Sequence, residues 1–131
     1  MKKNVISALL VAAAVGVMTV CPVGAEESQT YNVGICQLVQ HEALDAATQG
    51  FKDEVTKELG EDAVTFDEQN AQGDSNTCST IVNSFVSNNV DLILANATPA
   101  LQAAAAGTSD IPILGTSVTE YGVALGLDDF D

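Results

Sequence analysis

An α/β domain built on a parallel sheet is the fold class this sequence predicts, and three observations predict it. Short apolar runs alternate with amphipathic helical stretches along most of the chain. The run Leu92-Ile93-Leu94-Ala95 has no polar alternation, as in a strand covered on both faces. It passes at once into Asn96-Ala97-Thr98-Pro99-Ala100, where Thr98 reads as an N-cap and Pro99 as the first helical residue. In open α/β sheets such junctions gather ligands, because free helix N–H groups point outward at the carboxyl edge.

Each element follows from local pattern. Tyr31 to Gln37 carries Val33, Gly34, Ile35 and Cys36 and is predicted as the first strand. From Glu42 the period becomes helical, with Leu44, Ala47, Phe51, Val55 and Leu59 on one stripe and Gly60 as the stop. Residues 63–68 read as a second strand of edge character, and 69–76 as a loop by composition. Thr77 is the expected cap of a second helix whose apolar face is Cys78, Ile81, Val82, Phe85 and Val86. Residues 90–95 form the third strand and 99–106 the third helix, rich in alanine. Residues 111–114 form the fourth strand, with Pro112 near its start, and 123–127 a fifth. Right-handed crossovers then favour a three-layer, flavodoxin-like sheet with strand order 2-1-3-4-5.

The amino-terminal 25 residues read as a signal peptide. Met1-Lys2-Lys3 supplies the positive start, Val5 to Val20 the apolar stretch, and Val23-Gly24-Ala25 a small-residue cleavage site. The apolar stretch is short of the roughly 20 residues that span a bilayer, so export is expected, not anchorage. Cys21 opens a second processing route, as the lipid attachment point of a lipoprotein, although Val20 stands where a small residue is usual. Both routes place the protein outside the cytoplasmic membrane, periplasmic or at the cell surface.

All 18 acidic residues follow Ala25, leaving Lys52 and Lys57 as the cations of the mature chain and a formal charge of −16. With no arginine, nucleic acid and anionic membrane are excluded as partners, and the acidity reads as a solvated surface. Cys36 and Cys78 remain after cleavage, in a compartment that permits either a bridge or two buried thiols.

The residues offer little to catalysis. His41, the one histidine, lies four residues before Asp45 and could pair with it on a helix, with Cys36 upstream. Cys36, however, falls inside a strand, and no oxyanion or leaving-group machinery accompanies it. No metal-ligand spacing, calcium loop, phosphate-cradling loop or dinucleotide fingerprint is present, so neither a metal nor another cofactor is called for. The strand ends instead carry neutral hydrogen-bonding groups: Gln37, Gln40, His41, Asn70, Asn96, Thr98, Thr116, Ser117 and Thr119. These suit a small polar or zwitterionic ligand whose carboxylate sits near a helix N-terminus.

Four motifs in register then carry a resemblance. Val33-Gly34-Ile35-Cys36-Gln37-Leu38-Val39-Gln40-His41-Glu42-Ala43-Leu44-Asp45, with Gly50-Phe51, opens the set. Gln69-Asn70-Ala71-Gln72-Gly73-Asp74, Asp91-Leu92-Ile93-Leu94-Ala95 with Ala97-Thr98-Pro99-Ala100, and Ile111-Pro112-Ile113 follow in the same order. Together they resemble the ABC-transporter substrate-binding proteins of the tryptophan/tyrosine type, over nearly all of residues 31–127. The resemblance implies a type I periplasmic-binding-protein fold, with two α/β lobes closing on a small solute, in members of the family an aromatic amino acid or an unidentified small molecule. A membrane permease and its ATPase would be the partners, and no enzyme activity is implied. Carried onto this chain, Gln37 and His41 of the first loop, Asn70 of the second, Thr98 of the third and Thr116 of the fourth would face the cleft.

Two departures qualify the match. Glu120-Tyr121 stands where the family often has Asp-Pro. The sequence also stops where the family crosses to its second lobe, so residues 26–131 are expected to be the N-terminal lobe of a truncated receptor. A sensory module of the same fold is the alternative function, and an enzyme on a flavodoxin-like scaffold a more distant one.

Overall fold

A computed structural model describes residues 29–127. The stretch read as a signal peptide, Cys21 included, and the last four residues lie outside these. The elements are β1 (Tyr31–Gln37), α1 (Glu42–Leu59), a 3-10 turn (Glu61–Ala63), β2 (Val64–Asn70), α2 (Ser75–Ser87), β3 (Leu92–Asn96), α3 (Thr98–Gly107), β4 (Ile113–Thr116) and α4 (Tyr121–Leu125). The four strands are parallel in the order β2-β1-β3-β4. The three-layer parallel α/β fold is therefore as the sequence predicts.

Alternation along each strand divides the core between two faces. Val33, Ile35, Val64 and Leu94 form one cluster, with Phe51 and Val55 of α1 packed against it. Phe51 meets Phe66 edge-on, at 6.4 Å between ring centroids. On the other face Cys36, Ile93 and Ala95 pack with Cys78, Ile81, Val82 and Phe85 of α2 and Ala100, Leu101 and Ala104 of α3. The alanines of α3 let it lie close on the sheet. Among the described residues α1 is the helix that covers its face, and Leu114, out at the β4 edge, is 48% exposed.

Six boundaries depart from expectation, among them β3, which spans Leu92–Asn96 where residues 90–95 are predicted. β2 runs two residues further than predicted, because its ladder with β1 continues to Gln37↔Asn70. The cap of α2 is Asp74, not Thr77: its carboxylate accepts from the Asn76 and Thr77 N–H groups at 2.6 and 3.0 Å. α3 begins one residue early, with Ala97 at the N-cap and Thr98 already helical. β4 starts after Pro112, whose carbonyl accepts from Ile93 N–H at 3.0 Å. The predicted fifth strand is a helix. Glu120 caps it through the Gly122 and Val123 N–H groups, and Gly126 closes it in the left-handed conformation at φ 65°. Leu127 N–H reaches back to Gly122 O at 2.9 Å, completing a Schellman-type end.

Cys36 and Cys78 are free thiols, fully buried in the same apolar cluster. Burial pushes the Cys36 thiol up to about 12, the neighbouring Cys78 adding to the shift, and burial raises Cys78 as well. A thiol raised by folding contributes stability fully below its unfolded value of 9.0, and loses it as pH climbs toward the folded one. The unfolding free energy should therefore fall between pH 9 and 10, by an amount approaching about 1.4 kcal/mol for Cys36, with Cys78 acting in the same direction, and urea denaturation at the two pH values measures it. A Cys36→Ala variant should lose less over the same interval; equal losses in the two proteins would exclude the thiols as the cause.

Candidate functional site

The carboxyl ends of the strands form one continuous polar row. Register places Asn70 of β2 beside Gln37 of β1, Gln37 beside Asn96 of β3, and Asn96 beside Thr116 of β4. In-register neighbours in a parallel sheet share a face, and this one is the α1 face. Composition makes Asn70, Asn96 and Thr116 look like loop residues, but each is the last residue of a strand.

The loops above the row are tied to one another through backbone bonds. Ala71 N–H donates to Gln37 O at 2.9 Å and Gly73 N–H to Leu38 O at 2.7 Å, so the β2–α2 loop is fastened to the end of β1. Asn70 Oδ1 accepts from Gln72 N–H at 2.8 Å, shaping a turn in which Gln72 and Gly73 both have positive φ. On the other side, Ala97 N–H donates to Thr116 O at 2.9 Å.

Between the β1–α1 loop and the end of β2 lies a cavity of about 530 Å³, lined by Gln37, Val39, Gln40, Asp45, Glu68, Asn70 and Gln72. Its walls are four amides and two carboxylates around one exposed valine. Lys52 of α1 bonds Glu68 Oε2 at 2.8 Å and stacks near Phe66, which balances one of the two acids. Both partners are partly exposed, so the pair orients more than it stabilises.

Of the five residues expected to face a cleft, Gln37 and Asn70 share this cavity. Thr116 belongs to the same row, two strands from Gln37. His41 caps α1, its Nδ1 accepting from Ala43 N–H at 3.2 Å, and Thr98 is the first residue of α3. Thr98 therefore has no N-cap role. The Cys-His-Asp set is not assembled: Cys36 is buried in the core on the α2 face, His41 Nδ1 accepts from Ala43 N–H, and Asp45 Oδ1 accepts from Gln37 Nε2 at 2.6 Å.

Two residues of the site depart from expectation: Asn96, expected as a ligand-facing rim group, and Thr48, for which no role is expected. Asn96 is fully buried, and its Nδ2 donates to Leu44 O at 2.8 Å and to Thr48 Oγ1 at 2.9 Å. Thr48 Oγ1 donates in turn to Gln37 Oε1 at 2.7 Å. Thr48 is the one residue of α1 that is buried. Its signal in the sequence is its spacing: it lies four residues after Leu44 and three before Phe51, a hydroxyl set within an apolar stripe.

Residues 32–128 match the family of ABC transporter substrate binding proteins. The chain belongs to that family. It is 46% identical over 93 residues to a tyrosine-binding protein of Clostridioides difficile (strain R20291), an alignment covering 68% of this chain and 26% of that protein. Its structure is similar to a ligand-free, open substrate binding protein with adhesive properties from Clostridium difficile. There the TM-score is 0.69 at 45% identity, over 75% of this chain and 34% of the other. A domain from Streptococcus pneumoniae, solved in complex with L-Trp, gives a TM-score of 0.70 at 32% identity, over 73% and 33% of the two chains. The chain thus spans about a quarter to a third of the length of these ABC substrate-binding relatives.

Proposed function

We propose that this chain forms one wall of the solute-binding cleft of an exported ABC-importer receptor, and that the solute is an amino acid, with aromatic side chains favoured. The receptor would hand its solute to a membrane permease and the associated ATPase. The observation that carries this reading is family membership across residues 32–128, with relatives described as binding tyrosine or as holding L-Trp.

The chemistry of the carboxyl edge fits a zwitterion. Asp45 and Glu68 supply acceptors for an ammonium, and the α1 and α3 N-termini at His41 and Thr98 supply donors and a positive field for a carboxylate. In this reading Gln37 and Asn70 shape the cavity while His41, Thr98 and Thr116 form its rim. Aromatic side chains to cage an indole or phenol are missing from the cavity lining, so they would come from the opposing lobe.

One wall leaves most of a ligand in water, so binding by this chain alone should be weaker than micromolar. Titration with L-tyrosine and L-tryptophan should shift amide resonances of residues 38–43, 70–72 and 116–117. Perturbations confined to other segments, or none at millimolar ligand, would count against the assignment.

A further inference from the structure

We propose that Asn96 and Thr48 are positioning residues of the binding edge, holding the β1–α1 loop and the α1 N-terminus in place without touching solute. This rests on the reading of the carboxyl edge as a solute site. A directed chain of hydrogen bonds runs from Asn96 outward to the loop. Asn96 Nδ2 donates to Thr48 and to the Leu44 carbonyl, Thr48 donates to Gln37, and Gln37 Nε2 donates to Asp45 Oδ1 at 2.6 Å and to Val39 O at 3.0 Å. The last three groups, Gln37, Asp45 and Val39, line the cavity. Asn96 and Thr48 do not, and they are 0% and 3% exposed.

Stability alone does not account for an amide at this position. Leu94, two residues earlier on the same face, sits in the apolar cluster of α1, and an aliphatic side chain would continue that packing. The amide instead leaves Asn96 Oδ1 buried without a hydrogen-bond partner, the one such side-chain atom among the described residues, so its desolvation is not recovered. What the amide supplies is a fixed distance between β3 and the first turns of α1, through Leu44 O and Thr48. Apolar contacts tolerate sliding, whereas two bonds of 2.8 and 2.9 Å from one planar group do not. The register of α1 on the sheet, and with it His41, Asp45 and the loop between β1 and α1, is set from Asn96.

Thr48→Val tests this, because it keeps the shape and removes both the acceptor for Asn96 and the donor to Gln37. Amide hydrogen exchange of residues 38–43 should speed up roughly threefold to tenfold, as expected for the loss of the one bond, from Thr48 to Gln37, that reaches the loop. Exchange in α2 and α3 should not change. Thr48→Ser keeps the hydroxyl and should restore wild-type exchange in the loop. Val82→Ala, in the core of the opposite face, lowers global stability and should leave the 38–43 loop unchanged relative to its neighbours. With L-tyrosine as probe, Thr48→Val should weaken binding by a similar factor while Val82→Ala does not. Unchanged loop exchange in Thr48→Val, failure of Thr48→Ser to restore it, or equal affinity in Thr48→Val and wild type would overturn the proposal. If wild type binds no L-tyrosine, the solute assignment fails, and the exchange comparison still decides whether Asn96 and Thr48 position the loop.

Discussion

Phe85→Ala is expected to lower the unfolding free energy by about 3–5 kcal/mol, the range for deleting a fully buried aromatic side chain. Phe85 is 0% exposed and is the largest of the fully buried side chains. Its ring lies across the backbone of β1 at Gly34, where an added Cβ would stand 2.7 Å from two ring atoms. The sheet on one side and α2 on the other are held by ladder and helix bonds, so the space left by the ring cannot readily collapse. Against a typical total of about 5–15 kcal/mol, the loss removes a large share of the stability of the domain. Urea denaturation followed by circular dichroism measures it. Gly34→Ala should cost about 1–3 kcal/mol by driving a methyl group into the same ring. In the double variant the methyl group enters the vacated space, so the two losses should sum to more than the measured total. Strict additivity would show that the ring and Gly34 do not act as a packed pair.

Elements whose evidence is local were legible in the sequence. β1 and α1 end where their patterns end, and the expected α2 face of Cys78, Ile81, Val82 and Phe85 is buried. The misread boundaries depend on neighbours that a linear pattern does not contain. Gln69, Asn70, Asn96 and Thr116 have loop-like composition, but the parallel ladder continues through them. Residues 123–127 have no decisive period, and the caps at Glu120 and Gly126 make 121–125 a helix and leave no strand there. Thr98-Pro99 satisfies the local rule for a helix start, yet the first helical bond runs from Leu101 N–H to Ala97 O, which makes Ala97 the N-cap and Thr98 already helical. The positions of the candidate residues were readable, since Gln37, Asn70 and Thr116 end strands and His41 and Thr98 stand at the start of helices. The roles of Asn96 and Thr48 were not, because they arise from the register of α1 against β3.

Ala97→Gly is expected to raise thermal stability and weaken solute binding together. Ala97 stands at φ 99° and ψ 159°, a region of backbone space that is essentially reserved for glycine. The contrast within this chain is direct: Gly60 closes α1 at φ 96° and ψ 150°, and there the residue is the one that conformation favours. For alanine the cost is of order 1–3 kcal/mol, and it persists because both ends of the residue are held. Ala97 N–H donates to Thr116 O at 2.9 Å, and Ala97 O accepts from Leu101 N–H at 3.1 Å as the first bond of α3. Glycine removes the strain and returns about 0.5–1 kcal/mol through greater freedom of the unfolded chain. A net gain of about 1 kcal/mol remains, which for a domain of this size moves the melting temperature up by about 4–8 °C. The same substitution frees the joint between Asn96 and Thr98, where β3 delivers its polar end to the rim. Rigid placement of that rim is what a binding edge needs, so L-tyrosine affinity should fall as the melting temperature rises. A lower melting temperature in the glycine variant would show that alanine is not strained at this joint, and a higher one with unchanged affinity would show that the strain serves no binding role.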